Sequence, residues 1–185
     1  MEEKKKIKIL TIISIIAIIV IVALVGVLFS NNSKLKKANS EIIKITGSDK
    51  KAITAEEFKN VISAKKFTIN VPRDVLTEEA IKAAGIEKGY ITREIEDQEY
   101  RINFFDMKDN NSQKYFYYDA INTIRVEDNG NIKETLEKSM NHTKYTALTN
   151  GKYIVVSRIG NTLIWGTINE DKKQKLIDLL NEFGY

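Results

Sequence analysis

The sequence predicts an α+β protein, with an N-terminal transmembrane helix followed by an antiparallel sheet whose helices pack on one face. Three observations carry that prediction. Residues 9–29, ILTIISIIAIIVIVALVGVLF, form an apolar run without a charge. Beyond it, segments with alternating apolar residues give way to segments with helical spacing. A hairpin followed by a helix then occurs twice, in YRINFFDMKDNNSQKYFYYDAI and NTLIWGTINEDKKQKLIDLL. Two such β-hairpin–helix units can share one sheet, since each alone leaves an apolar face uncovered. A mixed sheet with a separate small subdomain is the alternative arrangement.

The apolar run sets the organisation of the chain. At about 1.5 Å per residue, roughly 20 helical residues match the ~30 Å hydrocarbon core of a bilayer. A cleaved signal peptide has a shorter core, of about 7–15 residues, and ends at small side chains, whereas this run exits through Val25, Gly26, Val27, Leu28 and Phe29. The run therefore reads as an uncleaved single-pass anchor. Lys4, Lys5, Lys6 and Lys8 precede it, while Lys34, Lys36 and Lys37 follow it. The lysines of the short N-terminal tail dominate orientation, and a long C-terminal domain translocates largely regardless of its charge. The expected topology is a cytoplasmic stub (1–8), a transmembrane helix (9–29), a spacer (30–52) and an extracytoplasmic α+β domain (53–185) in the cell membrane. With no cysteine in the chain, the fold has no disulfide to rely on.

Within the outer domain the elements follow in order. Ile42, Ile43 and Ile45 in the spacer fit either a short strand or an extension of the membrane helix. Thr54 and Glu57 form a capping box, so a helix starts there with Phe58, Val61 and Ile62 on one face. Phe67, Ile69 and Val71 alternate along a strand stopped by Pro72. Thr77 caps a short helix that Gly85 ends. After Gly89, residues 90–96 and 100–106 read as a hairpin around Asp97 and Gln98, one face packed and the other wet. Helical spacing returns over 111–124, where Phe116, Tyr117, Ala120, Ile121 and Ile124 form a stripe. Residues 126–131 read as a loop, and the polar stretch to Asn141 as mobile. Strands then follow over 144–148, 153–159 and 162–168, with an Asn150-Gly151 turn that signals a hairpin. Asn169 is expected to cap the last helix, which carries Leu176, Leu179, Leu180 and Phe183 on one face.

The residues for most site chemistries are missing or isolated. The single histidine, His142, lies in a polar stretch and reads as a surface residue; no G-x-S-x-G elbow accompanies it. One His and no Cys exclude Cys/His metal centres. Residues 128–131 match only a fragment of a calcium loop and read as a turn. No nucleotide-binding glycine motif is present, and no cofactor is expected. A net charge of +4 comes from lysines interspersed with Glu and Asp, so no nucleic-acid partner is expected. Glu94, Glu96, Asp97 and Glu99 form an acidic cluster that a glycosidase-like mechanism would need to organise as a facing pair.

One cluster favours binding. Tyr115, Phe116, Tyr117 and Tyr118 are consecutive, and four consecutive helical positions span all faces. Tyr115 or Tyr118 is therefore expected at the surface, with Tyr90, Tyr100, Tyr153 and Trp165 adding aromatic area. Exposed rings stack on sugars or anchor protein partners. Tyr115 and Tyr118 are the candidate binding residues.

The stretch from Ile53-Thr54-Ala55-Glu56-Glu57-Phe58-Lys59 through GKYIVVSRIGNTLIWGTINEDKKQKLIDLLNEFGY resembles a loose group of uncharacterised membrane- or lipid-anchored extracytoplasmic proteins of low-GC Gram-positive bacteria. The Ile-, Lys- and Asn-rich composition agrees with such a source. The resemblance implies location and fold, with no catalytic residue attached. It departs from lipid-anchored members in lacking cysteine, which leaves the transmembrane helix as anchor. The expected function is a non-catalytic, membrane-anchored binding module for a protein partner or cell-wall polymer; the alternative is an envelope hydrolase acting through carboxylates.

Overall fold

The computed structural model describes residues 40–44, 49–128 and 132–185. The stub and the membrane-spanning run lie outside the described residues, as does most of the spacer. Among the described residues no helix is long and apolar enough to cross a membrane.

Eight strands form one sheet: β1 (Ser40–Lys44), β2 (Phe67–Asn70), β3 (Ile86–Glu94), β4 (Arg101–Met107), β5 (Lys133–Lys138), β6 (His142–Thr149), β7 (Lys152–Ile159) and β8 (Thr162–Asn169). Their order across the sheet is β1-β5-β6-β7-β8-β4-β3-β2. Seven strands pair antiparallel, and β1 adds in parallel to β5. Among the described residues four α-helices accompany the sheet: α1 (Ala55–Ser63), α2 (Glu78–Ala84), α3 (Asn110–Glu127) and α4 (Lys173–Glu182).

The helices cover both faces of the sheet, which corrects the one-face expectation. Phe58 and Ile62 of α1 join Leu176, Leu179 and Leu180 of α4 over Ile102, Phe104, Val155 and Ile164. Tyr117, Ile121 and Ile124 of α3 pack on the opposite face over Phe105, Met107, Val156 and Leu163, with Ile81 of α2 alongside. The cause lies in three adjacent apolar pairs, Phe104-Phe105, Val155-Val156 and Leu163-Ile164. Successive strand residues point to opposite faces, so each pair makes both faces apolar and neither face can stay wet. The two hairpin–helix units meet where β4 pairs with β8, but their helices go to opposite sides.

Local chemistry explains most boundaries. Thr54 accepts from the Glu57 amide at 3.2 Å while Glu57 accepts from the Thr54 amide at 2.7 Å, the reciprocal cap that starts α1. Asn150 and Gly151, at φ 50° and 70°, make the tight turn between β6 and β7. Of the two readings open for the spacer isoleucines, the strand is the one found, as β1. Three expectations are corrected. β5 runs through the stretch expected to be mobile; Lys133 and Lys138 reach water, and the buried Glu134 is paired with Arg125. β3 begins before Gly89, where the backbones close up: a Cβ there would lie 2.8 Å from the Phe104 carbonyl oxygen. Asn169 does not cap α4; its side-chain oxygen accepts from Lys152 Nζ at 2.7 Å, and a short 3₁₀ turn intervenes. Gly89→Ala is expected to cost about 1–3 kcal/mol in urea unfolding, because the backbone of β4 must shift.

Candidate functional site

Helix α3 positions the candidate site. Asp109 caps it by accepting from the Ser112 amide at 2.7 Å. Gln113, Tyr117, Ala120, Ile121 and Ile124 face the sheet and are buried. The aromatic run divides as helical geometry requires: Tyr117 is buried, Phe116 packs on Phe105 with ring centroids 5.2 Å apart, and Tyr115 and Tyr118 are each 57% exposed. Three residues apart, the two exposed rings share a helix face. The other aromatics do not extend that surface. Tyr100 is buried, and Tyr90, Tyr153 and Trp165 are half-buried parts of the two cores.

Beside Tyr118 a cleft of about 180 Å³ opens between α3 and the β5–β6 pair, lined among others by Tyr117, Asn122, Arg125, Glu134, Lys138 and Thr143. An ion pair ties its walls together. Arg125 donates from Nε and Nη2 to the two Glu134 oxygens at 2.7 and 2.9 Å, and the Tyr145 hydroxyl donates to Glu134 Oε1 at 2.8 Å. The Arg125 guanidinium also lies 5.8 Å from the Tyr145 ring centre, within cation–π reach. Burial by itself raises the Glu134 carboxyl pKa, but the donors from Arg125 and Tyr145 outweigh it and hold the group below its ordinary value. Glu134 is therefore a charged tether between helix and sheet.

Farther along, the cleft is lined by Lys138 and Thr143. Lys138, Thr143 and Arg158 are neighbours across β5, β6 and β7 on the α3 side of the sheet. Arg158 lies 5.6 Å from the Tyr117 ring centre and donates from Nη1 to Gln113 Oε1 at 3.0 Å. Its Nε and the Tyr117 hydroxyl are both buried without a hydrogen-bond partner among the described residues. Nothing in the sequence pairs these positions, since α3, β5, β6 and β7 meet only through the fold.

The acidic cluster is dispersed into ion pairs. Glu94 meets Lys175 at 3.1 Å, Asp97 meets Lys172 at 2.7 Å, Glu96 meets Lys66 and Glu99 meets Lys152. A carboxyl that serves as general acid needs a raised pKa. The hydrogen bond from Lys172 instead lowers that of Asp97, and the one from Lys152 lowers that of Glu99. The four carboxylates are thus spread over separate surface ion pairs, to Lys66 before β2, Lys152 of β7, Lys172 of the 3₁₀ turn and Lys175 of α4.

His142 is a correction. It is 2% exposed, with Nε2 2.9 Å from Ser157 Oγ on the α1/α4 side of the sheet. The chain leading into α1 is latched beside it: the Lys50 amide donates to Asn141 Oδ1 at 3.0 Å and Asn141 Nδ2 donates to the Lys50 carbonyl at 2.7 Å. Burial, then the positive charges of Lys50, Lys144 and Arg158, lower its pKa to about 4. A nucleophile and its base need access to substrate, and here both partners are buried, His142 at 2% and Ser157 at 0% exposure. The pair is structural. Because the unfolded ring binds a proton near pH 6.5 and the folded one only near 4, the unfolded state takes up more protons in that window. Stability is accordingly lost as pH falls from 6.5 to 4, by at most about 3 kcal/mol. His142→Gln should flatten that part of the pH profile in urea unfolding.

No three acidic or histidine side chains converge as a metal site among the described residues. No protein-family model matches the chain. No curated protein matches it either. Among solved structures, the extracellular domain of PknH from Mycobacterium tuberculosis aligns at 12% identity over 71% of this chain and 93% of that one, with a TM-score of 0.32.

Proposed function

We propose that this chain is a non-catalytic extracytoplasmic binding module, held at the membrane by residues 9–29, whose outer face on α3 engages a protein partner or cell-wall polymer. The observation that carries the reading is the exposure of Tyr115 and Tyr118 at 57% each beside a polar cleft. Large rings left in water contribute little to the fold, whereas a paired aromatic surface rimmed by polar groups is what interfaces use as an anchor. Ion pairing of all four clustered carboxylates favours this reading over hydrolysis.

The double variant Tyr115→Ala/Tyr118→Ala is expected to keep its thermal midpoint within a few degrees and to lose at least about tenfold in retention on purified envelope. Retention at the parent level would overturn the reading. The orientation has its own test. Protease added to intact wall-stripped cells should digest the domain; protection until lysis would reverse the topology.

A further inference from the structure

We propose that the cationic end of the α3/β5–β6 cleft binds a phosphate group, of the kind carried by polyol-phosphate polymers and by lipid headgroups. The inference deepens the binding reading above and rests on it. Tyr117 lines the cleft and is fully buried, yet its hydroxyl has no partner among the described residues; Nε of Arg158, whose guanidinium lies 5.6 Å from the Tyr117 ring centre, is a second buried atom without one. A buried, unpaired polar group costs stability, and folded proteins rarely keep one without a ligand, ion or water to satisfy it. Thr143, itself buried, brings a further hydroxyl, and Lys138 brings an ammonium at the rim. Hydroxyl donors beside ammonium and guanidinium groups are suited to a charged oxyanion.

Charge and size narrow the ligand further. The one carboxylate lining the cleft, Glu134, is neutralised by its two-pronged bond to Arg125, which leaves Lys138 to set the sign at the other end, with Arg158 behind it two strands away in the sheet. The volume of about 180 Å³ falls below the roughly 300–1,000 Å³ of a drug-sized ligand site. It suits one small charged group while the rest of a ligand lies along Tyr118 and Tyr115.

The test uses the full chain in maltoside detergent, which carries no phosphate. Inorganic phosphate, glycerol 3-phosphate and dihexanoyl phosphatidylglycerol are titrated by calorimetry, each also followed by the shift in thermal midpoint that a ligand of the folded state produces. Saturable binding, weakened about tenfold by Lys138→Ala and by Tyr117→Phe, is expected. Tyr117→Phe should leave the midpoint without ligand unchanged or raised, because the hydroxyl it removes bonds to nothing, so lost binding cannot be ascribed to misfolding. Tighter binding of glycerol 3-phosphate than of the lipid assigns the source to a polymer, and the reverse assigns it to a headgroup. Absence of saturable binding by all three probes, or binding that neither variant weakens, overturns the proposal. If envelope retention still depends on Tyr115 and Tyr118 in that case, only the phosphate assignment falls.

Discussion

Arg125→Ala is expected to destabilise the domain by about 3 kcal/mol or more, since it leaves a carboxylate that is 1% exposed at the side chain without its charge partner. Arg125 itself is 35% exposed at the side chain, so solvent access places the cost toward the lower end of the ~3–5 kcal/mol for breaking buried pairs. The pH dependence should change sign. In the parent protein the folded Glu134 has a lowered pKa, so its contribution is present above the unfolded value and is lost as pH falls through the folded one. Without Arg125, burial dominates and raises the folded pKa, so acidification relieves the variant. Replacing both partners, as Arg125→Met/Glu134→Leu, should recover most of the loss because no charge is left buried. Urea unfolding between pH 4 and 8 compares the parent with both variants. A cost below about 1 kcal/mol for Arg125→Ala would mark the pair as an ordinary surface contact.

Phe58→Ala is the second large effect. The ring is fully buried and packs against Tyr90, Phe104 and Phe183 with centroid separations of 6.2, 5.2 and 5.0 Å. It thereby links α1 to β3, to β4 and to the end of α4. Truncation removes apolar burial and leaves a cavity that three rigid rings cannot fill, at a cost of about 3–5 kcal/mol. For a domain of this size that lowers the thermal midpoint by roughly 10 °C or more. A small loss would mean that α1 collapses onto the sheet and that the aromatic cluster is loosely packed.

Features fixed by local chemistry were legible in the sequence. Thr54 with Glu57, Thr77, Gly85 and the Asn150-Gly151 turn each act within a few residues, and the structure places a helix start, a helix end or a hairpin at each. Features fixed by distant partners were not. The charged run over β5 resembles a loop until β6 and β1 flank it, and Asn169 looks like a cap until Lys152 takes its side chain. The adjacent pair Phe104-Phe105 did carry the two-faced sheet, but reading only the alternation of Tyr100, Ile102 and Phe104 conceals the second face. At the candidate site, helical geometry alone sent Tyr115 and Tyr118 outward. The cleft beside them joins α3 to strands 9 to 28 residues away in the chain, as between Arg125 and Glu134 and between Tyr117 and Tyr145, and no local spacing encodes that.

The most direct test of the binding face is a photo-crosslinking scan in intact cells, with a benzophenone side chain placed singly at positions 115, 118 and 122 on α3 and at 174 and 178 on α4. One discrete adduct is expected from the α3 positions and none from the α4 positions. Adducts from α4 alone, or equal labelling of both helices, would contradict it.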